Sequence, residues 1–392
     1  MFSLISQSHA TKTDANLANF QHGVGTMALP QSRAGLMDIP LYEGGKSSLK
    51  GHDRVIKLSS NESALGPSPA ALSAYEAAAS GLLRYPDGSA ADLKAAIHEV
   101  HGLDADRLIC GAGSDEILCL VCRAYAGPGD EIIHTAHGFL MYGIYARSVG
   151  ATPVVVPETN LTADVDAILT AVTDATKLVF VANPNNPTGT VLSASELARL
   201  RHALREDIVL VVDGAYAEFM DGSDYDGGRE LAASTPNTLM TRTFSKIYGL
   251  ASLRVGWAFG PKSIIETLER LRSPFNINGA AIAAAAAAMR DVAHTEAAKD
   301  HNNRWMGVAV QRLRALGLAV TGESGNFVLP EFPDAPGKTA ADADAFLQSQ
   351  GMIVRRVENY GLPNHLRITL GTDEEMDSVL NALTQFMGGS SG

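Results

Sequence analysis

The sequence predicts an α/β protein built on a largely parallel sheet, and three observations carry that expectation. From Asp130 onward, short β-branched apolar runs alternate with helical ones. Glu131 to His134, Thr152 to Val156, Leu178 to Ala182 and Ile208 to Val212 read as strands, with helices over Phe139 to Val149, Val165 to Val172 and Ser193 to Arg205 between them. Right-handed β-α-β connections then make the sheet mostly parallel. The second observation is how the strands end. The Leu178 strand runs into Asn183-Pro184-Asn185-Asn186-Pro187-Thr188-Gly189, which can be neither helix nor ladder, and the Ile208 strand ends on Asp213-Gly214-Ala215-Tyr216. The third is Thr238 to Thr241, a strand end that leads through Phe244-Ser245-Lys246 and a Gly- and Ser-punctuated turn into a returning apolar strand near Trp257. Ligands of parallel α/β sheets bind at the carboxyl ends of the strands, so Asn186, Asp213 with Tyr216, and Ser245 with Lys246 are delivered to one edge of one sheet.

Composition bounds the function classes. With 392 residues, 46% of them hydrophobic, the chain can bury a large core, and its length points to two or more domains. No apolar run reaches the roughly 18 residues of a membrane span, and Met1 to Ile5 is too short for a signal-peptide core, so the expected compartment is the cytoplasm. A net charge of −12 without a basic tract argues against nucleic acid or an anionic membrane as partner. Cys110, Cys119 and Cys122 make an odd count that fits reduced thiols. Cys119 and Cys122 spell CxxC without a second ligand pair, so they read as core residues on one helix face and no metal site is expected.

Taken in order, residues 1–36 lack periodicity and read as an arm. Tyr42 to Ser47 resembles the end of a phosphate-binding Walker loop, but the motif needs glycine where Pro40 stands. Leu58-Ser59-Ser60-Asn61-Glu62 is a strand end feeding a Pro/Gly-marked loop, followed by helix from Ala70 to Ala79. Arg84-Tyr85-Pro86-Asp87-Gly88 is a turn ahead of an amphipathic helix over Ala90 to His101. Arg107 to Gly113 is a short strand with a glycine turn, and a helix begins at Ser114 with acidic residues in its first turn. Its free amides make an anion site, or simply a capped helix. After Pro274 come an alanine-rich helix over Ala280 to Arg290, a long helix to Leu316, and short strands at Ala319-Val320, Asn326 to Leu329, Gly351 to Arg355 and His365 to Leu370. These form a smaller α/β layer.

Lys246 is the candidate reactive group. A desolvated lysine amine condenses with aldehydes, the chemistry that pyridoxal phosphate enzymes exploit. Alone, such a lysine could equally be a solvated surface residue; its neighbours give it the functional meaning. An aspartate ending a five-residue apolar strand is costly unless it meets a cation or a donor, which makes Asp213 a second candidate at the same sheet edge.

The motifs together resemble the fold type I pyridoxal phosphate aminotransferases, and within them the histidinol-phosphate aminotransferase group, over roughly residues 37–386. The resemblance rests on Leu58 to Glu62, Arg84 to Gly88, Gly113 to Glu116, Asn183 to Gly189, Ser245-Lys246 with Arg254, and Leu366-Arg367-Ile368-Thr369 before Gly371-Thr372. Two departures stand out: Gly214 where the family usually has glutamate, and Ser63-Ala64-Leu65 where it usually has an Asn-Pro-hydrophobic run.

What the resemblance implies is a mostly parallel seven-stranded sheet sandwiched by helices, plus a smaller α/β domain. The implied division is 1–36 arm, 37–75 N-terminal part of the small domain, 76–285 large cofactor domain, 286–387 small C-terminal domain and 388–392 flexible tail. Lys246 would bind the cofactor aldehyde and act as general base, with Asp213 on the pyridinium nitrogen. Tyr216 and Asn186 would sit on the ring's phenolate oxygen and Phe139 on its face. Ser114, Asp115, Ser245 and Arg254 would hold the phosphate, joined by Tyr85 from the neighbouring subunit, which implies a homodimer. Arg355 and Arg367 would grip the anionic end of the substrate, with Asn61, Tyr42 and Asn326 beside them. Arginine suits that place because its planar fork recognises anions bidentately. The implied reaction exchanges an amino group between glutamate and its 2-oxo acid on one side and histidinol phosphate on the other. Aromatic amino-acid transamination, decarboxylation of a phosphorylated amino acid, and a catalytically silent binding module are the alternatives.

Overall fold

The computed structural model describes residues 30–41, 44–52, 54–222 and 224–388. Seven strands, β1 (Leu108–Gly111), β2 (Glu131–Thr135), β3 (Thr152–Val156), β4 (Thr176–Ala182), β5 (Val209–Asp213), β6 (Thr238–Thr243) and β7 (Gly256–Phe259), form one sheet in the order β1-β7-β6-β5-β4-β2-β3. All neighbours are parallel except those of β7, which runs antiparallel to both β1 and β6. The reason is local. The connection from β6 to β7 holds only the single turn Ala251–Leu253 and no crossover helix, so the chain must return antiparallel.

Both faces of the sheet are covered, and side-chain alternation assigns each residue to a layer. In β1, β6 and β7, Leu108, Cys110, Met240, Trp257 and Phe259 pack with α1 (Ala91–His101) and with α3 (Gly279–Arg290). The intervening Ile109, Leu239 and Ala258 pack with α2 (Ser114–Tyr125) on the other side. The alanine-rich α3 is helical for its propensity and is capped by Asn278, whose Oδ1 accepts from Ala281 N–H. Its small side chains let it sit close against α1. The three cysteines are free thiols, and burial pushes the Cys110 thiol up to about 12.

A second layer follows α4 (Val292–Ala315). Strands β8 (Phe327–Val328), β9 (Arg355–Arg356) and β10 (Leu366–Thr369) form an antiparallel sheet in the order β8-β10-β9. It shares an apolar cluster with α4, the C-terminal helix Asp373–Met387 and Leu58. The strand expected over Gly351 to Arg355 is in fact two. Met352–Ile353 pairs in parallel with Ile56–Lys57, while β9 pairs with β10. The helix Pro69–Ala78 spans the expected boundary at 75/76, and its Ala71 packs into the cluster of α1 and α3. Most of the expected arm, residues 1–29, and tail residues 389–392 lie outside the described residues. Among the described residues no helix is long and apolar enough to cross a membrane.

The lysine turn is held against the loop after Leu58 by a glycine contact. Gly249 has φ +68°, and a Cβ there would lie 2.2 Å from the Gly66 carbonyl carbon. Gly249→Ala is therefore expected to cost at least about 2 kcal/mol of stability. Gly317→Ala, at φ +80° with nothing within 4 Å, is expected to cost only the left-handed strain of about 1 kcal/mol. Denaturant midpoints of the two variants check the ordering, and equal losses contradict the close approach.

Candidate active site

The carboxyl edge of β4, β5 and β6 opens into a cleft of about 210 Å³. Asp213 ends β5 beside Ala182 of β4 and Thr241 of β6, with Lys246 in the turn that follows β6. The Asp213 carboxylate is buried and accepts two hydrogen bonds, from Tyr142 Oη at 2.7 Å and Thr241 Oγ1 at 2.9 Å. Burial raises its pKa above the usual carboxylate range, and the two hydrogen bonds oppose that rise only in part. Such a group gains from a cation on its cleft side. The partly buried Lys246 amine donates to Ser60 O at 3.2 Å and lies 5.7 Å from the centre of the Tyr216 ring. Burial, and then the Arg367 guanidinium, push it down to about 8. Tyr216 Oη accepts from Asn61 Nδ2 at 2.8 Å, and burial lifts the phenol to about 12.

The end of the cleft at α2 is a cradle of donors. Arg254 donates to Ser245 Oγ at 3.0 Å and to Asp115 Oδ2 at 3.1 Å, next to the first-turn amides of Ser114 and Asp115. Two glycines make room for it. A Cβ on Gly113 would meet Arg254 Nη2 at 2.6 Å, and one on Gly256 would meet Ser114 N at 2.2 Å. Phe139 lines the cleft beside it.

The far wall comes from the smaller layer. Antiparallel register sets Arg355 of β9 opposite Arg367 of β10, and both line the cleft. Arg367 donates to Asn186 Oδ1 at 2.6 Å and to Ser59 O at 2.7 Å. Lys246, Arg254, Arg355 and Arg367 thus face the cleft against Asp115 and Asp213, a positive site in a chain of net charge −12.

Three expected site residues do not line this chain's cleft among the described residues. Asn326 is buried behind the wall, where its Nδ2 donates to Asn61 O and Glu62 O at 3.1 Å; it shapes the Asn61 loop rather than lining the cleft. Tyr85 is 82% exposed and stacks on Phe275 with ring centres 4.8 Å apart, away from its own chain's cleft. Tyr42 lies outside the described residues. Conversely, Tyr142, Thr241 and Tyr360 belong to the site without having been singled out. Tyr142 had a signal, since it stands one helical turn after Phe139 on an apolar face. Thr241, at the end of the expected strand, gave no sign that its hydroxyl would meet Asp213, and Tyr360 had none, because only the tertiary fold brings it to the cleft.

The aminotransferase class I and II family model matches residues 53–383. The chain belongs to that family. It is 58% identical over 362 residues to histidinol-phosphate aminotransferase of Rhodospirillum rubrum, covering 92% of this chain and 98% of the relative. With the enzyme of that name from Paramagnetospirillum magneticum it shares 54% over 92% of this chain and all of the relative. Among solved structures it superposes, with a TM-score of 0.84 and 27% identity, on histidinol-phosphate aminotransferase from Sinorhizobium meliloti in complex with pyridoxal 5′-phosphate; 92% of this chain and 99% of the other are covered.

The residues of this aminotransferase fit that cofactor. A lysine of lowered basicity, a buried carboxylate above its usual range, and a donor cradle relieved by two glycines are what an aldehyde, a pyridine nitrogen and a phosphate each require. In the cofactor-free protein, modification of Lys246 by an amine reagent, mapped by mass spectrometry, is expected to rise with a midpoint near pH 8. Arg367→Gln is expected to move that midpoint up, because the cation that disfavours the ammonium is gone. A midpoint near the ordinary lysine value of about 10.4 contradicts the desolvated amine.

Proposed function

We propose that this chain is a pyridoxal phosphate transaminase of histidine biosynthesis, moving an amino group between glutamate or 2-oxoglutarate and histidinol phosphate or its keto form. The observation that carries the reading is one cleft holding Lys246, Asp213 and an opposed arginine pair, in a chain 58% identical to a histidinol-phosphate aminotransferase. When bound, pyridoxal phosphate supplies a carbonyl for the amino group and an electron sink for the substrate carbon. Lys246 would hold the aldehyde carbon and, once the substrate's amino group has displaced it there, its freed amine, held down to about 8 in the cofactor-free site, would take and return the proton at Nζ. Asp213 holds the proton on the ring nitrogen. Tyr216, whose Oη already accepts from Asn61, has its own proton to donate to the ring oxygen. Asn186, whose amide oxygen is taken by Arg367, has its NH₂ for the same atom. Ser114, Asp115, Ser245 and Arg254 bind the phosphate, and Phe139 flanks the ring.

Arg355 and Arg367 take the anionic end of each substrate in turn, with Asn61 beside them and Tyr42 assigned there from its place in the sequence. The smaller layer, residues 37–75 with 286–387, would then act as the wall that carries substrate specificity. The reading includes a homodimer with a composite site. Tyr85 is exposed among Leu82, Leu83 and Phe275, and a tyrosine so placed reaches a phosphate only on another subunit. The reduced thiols fit the cytoplasm.

A substrate panel read as glutamate formation tests the activity. Histidinol phosphate is expected to exceed phenylalanine and tyrosine in kcat/KM, and borohydride to fix a pyridoxyl group on Lys246. Arg355→Ala is expected to lower kcat/KM for histidinol phosphate by about 2–5 kcal/mol of transition-state binding, and far less for an uncharged aromatic donor. Equal losses support the aromatic transaminase instead.

Assembly has its own test. Tyr85→Phe is expected to weaken cofactor retention, and mixing it with the inactive Lys246→Ala protein to regenerate one intact site per hybrid dimer. Absence of any regained activity after subunit exchange places Tyr85 in its own chain's site.

A further inference from the structure

Behind Asp213 lies a buried charge that none of the chemistry above uses. Arg242, of β6, is 7% exposed, and its guanidinium lies in a cradle made by two glycines. A Cβ on Gly214, the residue that follows Asp213, would come within 1.9 Å of Arg242 Nη1, and one on Gly227 within 2.4 Å of Nη2. Larger residues at either place would evict the guanidinium. Nη1 donates to Thr241 O at 2.9 Å, and Nη2 to Gly227 O at 3.2 Å. Thr241 O also accepts from Gly214 N–H, while Thr241 Oγ1 donates to Asp213. The guanidinium is thus fastened to the backbone of Thr241, whose side chain holds one oxygen of the Asp213 carboxylate.

Its counter-charge is incomplete. The nearest carboxylate is Glu218, 3.8 Å from Arg242 Nε, with both side chains under a tenth exposed. Glu218 Oε1 has no hydrogen-bond partner among the described residues. Burial lifts Glu218 to about 7 in spite of Arg242, so near neutrality its negative charge is only partly present. The other charged groups of this region are engaged with backbone. Asp226 accepts from Gly228 N–H and Glu230 N–H, and Arg229 donates to His101 O. Arg242 is therefore only partly countered near neutral pH, and its charge acts on Asp213 against the larger effect of burial. A buried cation is expensive to keep, so its retention beside this carboxylate calls for a use.

We propose that Arg242 is a positioning residue for the cofactor's ring nitrogen, acting through Asp213 as the positive charge behind that carboxylate. Arg242 does not line the cleft, and Thr241 connects its guanidinium to the Asp213 carboxylate, so its charge favours the charge-separated pair of carboxylate and protonated nitrogen over the neutral pair. Gly214 is the residue that admits it. Glu218 partly screens it and so works in the opposite sense. This rests on the assignment of Asp213 to the ring nitrogen.

The test compares two ligands on cofactor-free protein at pH 8.5, where Glu218 is ionised. One is pyridoxal phosphate; the other is its 1-deaza analogue, which keeps aldehyde and phosphate but has C–H in place of the ring nitrogen. The ratio of their dissociation constants, from quenching of protein fluorescence, reports the Asp213 contact apart from the rest of the site. The unsubstituted protein is expected to prefer pyridoxal phosphate, and Asp213→Asn to lose most of that preference. Arg242→Met and Gly214→Ala are expected to lower it about tenfold, Arg242→Lys to restore part of it, and Glu218→Gln to leave it unchanged or higher. A role confined to fold stability predicts instead that Arg242→Met and Glu218→Gln lose it alike, and that result overturns the proposal, as does a normal ratio in Arg242→Met. If Arg242→Met does not fold, a fall in Gly214→Ala with no fall in Glu218→Gln supports the proposal, and a fall in both overturns it. No preference in the unsubstituted protein overturns the Asp213 assignment and the proposal with it, whereas a preference indifferent to Arg242 overturns the proposal alone.

Discussion

A carboxylate at the end of a fully buried strand is the constraint on which the rest of this site depends. Every residue of β5 is buried, so Asp213 leaves water with no side of the strand to turn toward. An uncompensated carboxylate there would simply take up a proton. The fold supplies compensation from three directions: Tyr142 from the helix over the sheet, Thr241 from the neighbouring strand, and the Arg242 charge from behind. The side facing the cleft is left for a cation. A parallel sheet is suited to this arrangement because its central strands all end at the same edge, so their last residues and following turns converge without long loops.

The segment Ser59 to Glu62 joins the two layers at that edge. Its carbonyls accept from Lys246, Arg367 and Asn326, and Asn61 reaches both Tyr216 and Thr369. One short loop is thereby tied to the lysine turn of the large sheet and to the strands of the smaller layer. Asn61 adopts φ +56°, a left-handed conformation that asparagine tolerates better than most residues. The substrate wall and the reactive lysine are therefore positioned through the same few hydrogen bonds, and a change in the smaller layer is felt at the lysine.

Charge completes the selection. Acidic residues give the chain its overall −12, yet among the described residues the cleft gathers four basic side chains against two carboxylates. Burial first, and then the Arg367 guanidinium, push Lys246 down to about 8. Arg367 thus adds to the effect of burial on the amine, and the same positive charge attracts anionic substrates.

The chain's order of residues determined the alternation of strands and helices, the edge at which Asn186, Asp213, Tyr216, Ser245 and Lys246 gather, and the family, because these rest on local pattern and on contiguous motifs. Alternation of period two even assigns Leu239 and Met240 to opposite layers of the core. Tertiary structure alone decided what lies behind and around those motifs. The Thr241 hydroxyl and Tyr360 join the site from separate elements, Asn326 turns away from the cleft to hold a loop, and Tyr85 lies exposed, stacked on Phe275. Gly214 read only as a departure from a family pattern until the fold placed the Arg242 guanidinium against it. The physical reason is that a motif is a property of neighbours in sequence. The energy of a buried charge is set by neighbours in space, and those exist only once the sheet has closed over them.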